Sequence, residues 1–423
     1  MRSENPWDIV PSRDFDGHGT FLAGVACGNR IEEKNFTGIA PLTTICVVKC
    51  KEAKESLREY YRIDTDEKAY AEQDIMAGVA YIWQKSRELR MPFVLCIGMG
   101  SSMGGHNGGG ILGAFLQQIG DNRGVAVVAA CGNEANSGHH YRSELLEEGA
   151  GVDVELQVGS RQGFTMELWS EVPHIFSVGI VSPTGEYSGR TVARIGERKS
   201  VYFLLDDTTI DIEYRLMAYE GGDECIQMRF RTPSEGVWLI RVFNETRGAA
   251  DFDIWLPITR FLSSQTFFLQ PDPDVTLCAP SNNEGVISVT YYDAGDRSIV
   301  VESSRGFTRS GELKPDIAAP GVDVYGPLPT QGNRYVTDES ERNLTARYVN
   351  RTGSSAAAAI TAGAAALLLE WGIVRQNDIT MDSVVVRKYM IRGADASGLS
   401  VPNKLWGNGT LNVYDIFERL RGR

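Results

Sequence analysis

The spacing of apolar residues divides the chain into regions of two kinds. From residue 38 to 132, short continuous apolar runs alternate with segments whose apolar residues recur at helical spacing. Apolar strands separated by helices predict a parallel sheet that is covered on both faces. The predicted strands are 44–48, 93–97 and 125–129, and the predicted helices are 70–89 and 111–119.

The middle of the chain has a different period. Between residues 152 and 262, apolar and polar residues alternate and polar turns separate the segments. Many short alternating strands predict an antiparallel β sandwich. The segments are 154–158, 164–168, 210–214 and 238–242. After residue 271 the first kind of pattern returns, with a strand at 285–290 and a final helix at 413–419.

These patterns predict an α/β fold in which an inserted all-β module interrupts a doubly wound parallel sheet. We place the first part of the α/β domain at 1–149, the β module at 150–265 and the second part of the α/β domain at 266–423. A module of roughly 110 residues has the usual size of a domain.

Composition and charge narrow the classes of protein to consider. The net charge of −13 over 423 residues argues against a nucleic-acid partner, because phosphate binding needs clustered Lys and Arg. No apolar stretch predicts a membrane span, and residues 1–8 lack the apolar segment of a signal peptide. The seven cysteines are odd in number and include no CxxC pair, which indicates buried thiols and predicts no metal site.

Candidate chemistry lies at three polar residues. Ser355 opens an alanine-rich apolar run, where a helix would begin with unpaired N–H groups and a positive dipole end. His18 stands between glycines, before a segment of small residues. Asn133 follows the strand 125–129, at the edge where open α/β sheets bind ligands. Each residue taken alone is more simply explained as a cap or a turn.

Taken together and in this order, these segments resemble the subtilisin family of serine peptidases. Residues 17–20, Gly-His-Gly-Thr, are similar to the start of the family's histidine motif, and residues 353–356, Gly-Ser-Ser-Ala, to its serine motif. Further similar segments follow at 39–41, 46–49, 303–306, 314–321 and 406–413. Ala359 replaces the family's proline in the serine helix, a change that helix propensity tolerates.

The resemblance implies a role for each of the three residues. Ser355 would be the nucleophile, His18 the general base, and Asn133 an oxyanion donor together with the Ser355 backbone N–H. A protein or peptide substrate would lie between two backbone segments. These are Gly98, Met99 and Gly100 on one side, and Ala130, Cys131 and Gly132 on the other.

The β module and residues 52–61 are similar to clostridial subtilisin-like proteins of the Csp type. Some of these proteins act in spore germination, and they carry a jelly-roll module inside the protease domain. This resemblance leads us to expect a secreted or spore-associated protein with a propeptide encoded before Met1. No cofactor is implied. Structural calcium is common in the family, but no ligand cluster in this sequence marks a site.

The family's catalytic aspartate has no match in this sequence. It lies in an Asp-Ser/Thr-Gly segment at the end of the first core strand, some tens of residues before the histidine. Asp14 and Asp16 are too close to His18 to belong to a separate strand, and we expect them in the loop before it. Asp8 lacks both a strand and a following glycine. We therefore expect the aspartate and its strand to be encoded before Met1.

Two functions are compatible with this sequence. The first is a serine endopeptidase that works through an acyl-enzyme, with the aspartate of the triad missing from this chain. The alternative is an inactive pseudoprotease that keeps the fold as a binding or signalling scaffold, for example in spore germination. The missing aspartate favours the scaffold, whereas the joint presence of His18, Asn133 and Ser355 favours the enzyme.

Overall fold

The computed structural model describes residues 12–192, 194, 196–215, 222–329 and 347–421. The α-helices are α1 (His18–Cys27), α2 (Glu55–Tyr61), α3 (Glu72–Leu89), α4 (Ile111–Gly120), α5 (Ser354–Leu369), α6 (Ser383–Gly393) and α7 (Val413–Arg421). Short 3₁₀ turns cover Glu32–Lys34 and Thr259–Phe261, and the π-helical turn Glu370–Val374 extends α5.

The strands fall into two groups. Those of the α/β domain are β1 (Phe93–Ile97), β2 (Val125–Ala130), β13 (Ile287–Asp293), β14 (Ser298–Ile299), β15 (Ile317–Pro320), β16 (Val324–Leu328) and β17 (Arg347–Arg351). Those of the β module are β3 (His140–Arg142), β4 (Gly151–Val158), β5 (Phe164–Ser170), β6 (Phe176–Val181), β7 (Arg198–Phe203), β8 (Thr208–Arg215), β9 (Glu224–Arg231), β10 (Gly236–Asn244), β11 (Asp253–Trp255) and β12 (Phe267–Phe268).

A parallel sheet forms the centre of the α/β domain. Strands β1, β2, β13 and β15 pair in parallel in this order, and β14 pairs antiparallel with β13. Successive residues of β2 point to opposite faces, as strand geometry requires. Val125 and Val127 pack with α3 and α4, whereas Ala126 and Val128 pack with α5 and α6. This arrangement confirms the predicted three-layer α/β class.

The β module contains antiparallel sheets whose inner faces share a hydrophobic core. One sheet has the order β12-β4-β10-β6 and another the order β3-β11-β5-β9-β8-β7. Leu156 and Trp238 from the first meet Met166 and Phe230 from the second. The period-two segments of the sequence lie in β4, β5, β8 and β10. The module's strands run from 140 to 268, beyond both ends of the predicted segment 150–265.

Helix α5 lies in the interior because its side chains are small. Ala357, Ala358 and Ala365 are buried, and the helix packs against α1, β1, β2 and β13. With its π-helical turn, α5 is long and apolar enough to cross a membrane, although the sequence predicted no span. The core helix of a soluble protein meets the same criterion of length and composition.

The predicted strand 44–48 is wrong. These residues form no regular secondary structure, and no sheet partner is found for them among the described residues. The segment is also largely exposed: Val47 is 70% exposed, and Leu42 just before it is 97% exposed. An apolar run indicates only that a segment is suited to burial, and here the neighbouring strand that would bury it is not among the described residues. Within the part of the chain that the structure describes, β1 pairs only with β2, along one of its edges.

The close approach of α1 and α5 predicts the effect of one substitution. A Cβ at Gly363 would lie 2.7 Å from the Ala26 carbonyl oxygen and 2.5 Å from the Ile39 Cβ. We expect Gly363→Ala to lower the free energy of unfolding by about 1–3 kcal/mol, despite the better helix propensity of alanine. Urea denaturation measures the change.

Gly78→Ala in α3 is the matched control. The nearest atom to its new Cβ is a methyl carbon of Val48, 3.0 Å away in the exposed segment, which can move. Equal losses of stability in the two variants would show that backbone crowding between α1 and α5 is not the cause.

Candidate active site

Ser355 lies in the first turn of α5, as the sequence predicted. The turn depends on Gly353, whose φ of 148° favours glycine and whose Cβ would lie 3.3 Å from the Asn133 Nδ2. Ser354 is buried, whereas Ser355 is partly exposed. The Ser355 hydroxyl donates a hydrogen bond to the Gly98 carbonyl oxygen at 2.9 Å.

His18 begins α1, and the preceding loop fixes its position. Gly17 caps the helix with a φ of 82°. The Asp14 carboxylate accepts hydrogen bonds from Gly17 N, Thr20 N and the Thr20 hydroxyl, so it caps the same helix. Burial alone would raise the pKa of Asp14, but these bonds hold it below its ordinary value. Asp14 is therefore a structural carboxylate of this loop.

The imidazole of His18 and the hydroxyl of Ser355 meet at one carbonyl. The His18 Nε2 lies 3.1 Å from the Gly98 oxygen, the same atom that the Ser355 hydroxyl contacts. Gly98 directly follows β1, so this point lies at the carboxyl end of the parallel sheet. A base and a nucleophile that converge on one atom need only small rotations to bond to each other, and such bonds often tighten only when substrate binds.

The surroundings of His18 favour its neutral form. Burial is the main cause of its lowered pKa, and the positive charges of Arg351 and Arg260 lower it further. The hydrogen bond to Gly98 and the negative charge of Asp16 act in the opposite direction. The imidazole is therefore unprotonated at neutral pH, which is the state a general base requires.

Asn133 is held by the backbone of the serine turn. Its Oδ1 accepts a hydrogen bond from Ser354 N at 2.9 Å, which leaves the Nδ2 group to donate elsewhere. The Ser354 hydroxyl accepts a hydrogen bond from Gly132 N at 3.1 Å and ties the same two segments together. The sequence did not predict this role for Ser354, because the residues around a small polar side chain do not show which distant backbone group it will hydrogen-bond to.

The other acidic candidates do not pair with the histidine ring. Among the described residues, no carboxylate hydrogen-bonds to the imidazole of His18. Asp16 accepts a hydrogen bond from the His18 backbone N–H through its own side chain. Asp8 lies outside the described residues. The described part of the chain thus brings the predicted base and the predicted nucleophile together, without a carboxylate bonded to the imidazole.

A cavity of about 3000 Å³ lies beside this site. Small-molecule pockets measure roughly 300–1,000 Å³, so this space is several times larger than a typical ligand needs. Its walls include β1, the exposed segment 42–50, α1 and α5, and His18 and Ser355 lie on its border. Among the described residues one edge of β1 is unpaired, and β1, His18 and Ser355 all border this cavity.

The predicted substrate-binding residues divide into two groups by position. Gly98, Met99 and Gly100, together with Ala130 and Gly132, line the cleft. Cys131 is fully buried, and its thiol contacts Ser281 in the interior. Burial raises the pKa of Cys131 to about 12. Cys278, which the sequence did not single out, lines the cleft in its place.

The structure also bears on the cysteines and on metal binding. All seven cysteines are thiols, and their burial varies from the fully buried Cys131 to the exposed Cys46. Within the described ranges, no group of three or more His, Cys, Asp or Glu side chains is placed to hold a metal ion. A structural calcium site remains a prediction of the resemblance alone.

Comparison with known proteins identifies the family. The model of the subtilase family matches residues 2–167 and 269–409, more than half of the chain. The chain belongs to the subtilase family. The stretch between the two matched segments, residues 168–268, falls within the β module.

Individual relatives agree with this membership. The solved structure of the CspB protease of Clostridium perfringens is 30% identical, with a TM-score of 0.84, and the match covers 100% of this chain and 83% of that one. The serine protease AprX of Bacillus subtilis (strain 168) is 32% identical over 145 residues, 33% of this chain. That alignment spans only 31% of AprX.

The charges around His18 predict opposite effects of two substitutions. Arg351→Gln removes a positive charge that lowers the pKa of His18, so the pKa should rise. Asp16→Asn removes a negative charge that raises it, so the pKa should fall. NMR titration of the ring protons measures both, with His18→Gln to assign the signal. Shifts in the same direction in both variants would contradict this account of the electrostatics.

Proposed function

We propose that this chain hydrolyses peptide bonds by acyl transfer through Ser355. The Ser355 oxygen attacks the scissile carbonyl carbon while the hydroxyl proton passes to the His18 Nε2, in the neutral tautomer that carries its ring proton on Nδ1 and leaves Nε2 free to accept. The oxyanion accepts hydrogen bonds from the Asn133 Nδ2 and from Ser355 N, which lies in the first turn of α5, where N–H groups lack a helical partner. Collapse of this intermediate breaks the C–N bond, and protonated His18 gives its proton to the leaving amine.

Water completes the reaction. A water molecule gives its proton to His18 as its oxygen attacks the acyl carbon, and the proton returns to the Ser355 oxygen as the acid product leaves. The observation that supports this proposal most strongly is the convergence of the Ser355 hydroxyl and the His18 Nε2 on the Gly98 carbonyl, at 2.9 and 3.1 Å. The substrates we propose are peptides or proteins whose backbone lies along Gly98–Gly100 by β-strand addition.

We also propose that a strand in the cavity supplies the missing carboxylate. A strand added parallel to the free edge of β1 would end where β1 ends, next to Gly98 and His18. The exposed apolar segment 42–50, on the other side of the cavity, offers this strand a second partner. A carboxylate at the strand's end would reach the imidazole and orient it.

Labelling with a fluorophosphonate tests the nucleophile. We expect this chain to be labelled slowly, because loss of the orienting aspartate lowers turnover in such triads by about 10⁴-fold. Ser355→Ala should abolish labelling, and Asn133→Ala should slow it about 10²–10³-fold through loss of an oxyanion donor. Asn122→Ala, in the loop after α4, is the matched control and should leave the rate unchanged. Labelling that survives Ser355→Ala would refute the assignment.

A longer protein tests the source of the carboxylate. We expect the chain extended by its upstream reading frame to cleave peptides, and an Asp→Ala change in the added strand to lower turnover about 10⁴-fold. Peptide cleavage assays measure both. An upstream frame without an Asp-Ser/Thr-Gly segment would contradict this proposal.

The alternative is a scaffold that binds peptides without cleaving them. The observation that favours it is that no described carboxylate bonds to the His18 imidazole. The extended protein separates the two functions. If it binds peptides but neither cleaves them nor reacts with the fluorophosphonate, the chain is a pseudoprotease.

A further inference from the structure

A glycine-rich loop follows the cleft segment 98–101 and carries one aromatic ring. Residues 104–110 read Gly-Gly-His-Asn-Gly-Gly-Gly, and the histidine is His106. Its φ of 51° lies in the left-handed region, which glycine adopts freely and residues with a side chain adopt at a cost. Contacts from the rest of the fold must therefore hold His106 in place.

Those contacts come from the β module. The imidazole of His106 stacks on the indole of Trp255 in β11, with ring centres 4.0 Å apart and ring planes 6° apart. His140 of β3 stacks on the same indole at 4.7 Å. We call these three side chains the ring cluster, and all three residues are buried, with at most 3% of each exposed.

The position of His106 favours its neutral form. Its Nε2 lies 2.9 Å from the Ser102 carbonyl oxygen, so the neutral ring carries its proton on that nitrogen and donates it to the carbonyl. The Nδ1 atom is buried and makes no hydrogen bond within the described part of the chain. Protonation would add a charge at Nδ1 without a bonding partner, and burial of such a charge is costly.

The charges near the ring cluster act in the same direction as burial. Burial is the main cause that lowers the pKa of His106 from 6.5 to about 3. His140 and Arg309 lower this pKa further by electrostatic repulsion, whereas the carbonyl groups of Ser102 and Leu277 raise it. Three carboxylates near the cluster already bind other groups: Asp253 binds His140, Asp223 binds Arg309, and Glu167 binds Gly104 N.

The same contacts fix the loop next to the cleft. Ser102, whose carbonyl accepts the His106 hydrogen bond, directly follows segment 98–101. Its hydroxyl donates a hydrogen bond to the Leu256 carbonyl of the module at 2.7 Å. Release of the His106 ring would therefore loosen the segment that carries Gly98, whose carbonyl is shared by the candidate base and the candidate nucleophile.

We propose that His106 is an acid-sensitive latch between the β module and the substrate cleft. With the ring neutral, the loop 102–110 and the cleft segment before it are fixed to the module. When the ring takes up a proton, it leaves the ring cluster for water and releases both. Such a latch regulates access to the site described above, and its operation does not depend on catalysis.

The pH range of the latch follows from the pKa of His106 in the closed and open junctions. A ring in water returns to 6.5, whereas the ring in the cluster has a pKa of about 3. The junction is therefore most stable above about pH 7, where neither form binds the extra proton. As the pH falls from about 6 to about 3, only the open form binds it, so the ratio of open to closed junctions rises by about tenfold per pH unit.

Hydrogen exchange of the full chain tests the latch without requiring activity. Mass spectrometry follows peptides that cover 101–110 and 253–257 between about pH 6 and about pH 4, with rates corrected for the intrinsic pH dependence of amide exchange. We expect the protection of these peptides to fall by about tenfold per pH unit, while peptides of β2 and α5 stay protected. In His106→Phe, which keeps a ring for Trp255, and in His106→Asn, which suits the left-handed conformation, the protection should not depend on pH.

His174→Asn, in the turn between β5 and β6, is the matched control and should keep the pH dependence of the parent protein. The same dependence in both His106 variants, or protection that does not change with pH in the parent, would overturn the proposal. Loss of protection in all peptides together would also overturn it, because acid would then unfold the whole chain instead of opening the junction. Fluorophosphonate labelling of Ser355 at neutral pH tests the proposed function separately.

Discussion

The hydrogen bond from Ser354 N to the Asn133 Oδ1 joins the two halves of the candidate site. Its length of 2.9 Å fixes the segment after β2 against the first turn of α5. The proposed oxyanion donor Asn133 and the proposed nucleophile Ser355 are more than two hundred residues apart, with the β module between them in the sequence. Gly353 makes this contact possible, because any side chain there would press against the asparagine. The catalytic geometry is thus set mainly by backbone.

The β module is hydrogen-bonded next to both segments that line the proposed substrate cleft, residues 98–101 and 130–133. Just after segment 98–101, Gly104 N donates a hydrogen bond to the buried Glu167 carboxylate of the module at 2.9 Å. Just after segment 130–133, the Glu134 carboxylate accepts hydrogen bonds from the backbone N–H and the hydroxyl of Thr259, at 3.0 and 2.7 Å. Because charge-assisted hydrogen bonds of this kind are comparatively strong, they fix residues next to both cleft segments to the β module. An inserted module can in this way restrict the motion of a cleft without taking part in the chemistry.

The sequence predicted the parts of the structure that depend on local pattern. Apolar runs located β1 and β2, and short motifs located His18, Asn133 and Ser355, because these features follow from adjacent residues. Segment 44–48 was predicted wrongly, since its burial depends on a neighbour that its own residues do not encode. Cys278 was missed for a related reason: the sequence around a thiol in an apolar run does not show which distant segments of the fold it will lie between.

The free edge of β1 has a consequence for the behaviour of the isolated chain. An unpaired strand edge is a template for intermolecular sheet formation, and the cavity beside this edge is also lined by apolar side chains such as Leu42 and Val47, which are 97% and 70% exposed. Copies of this chain that lack a covering strand would therefore aggregate through this edge. A strand that covers this edge would therefore favour the soluble form as well as complete the candidate site.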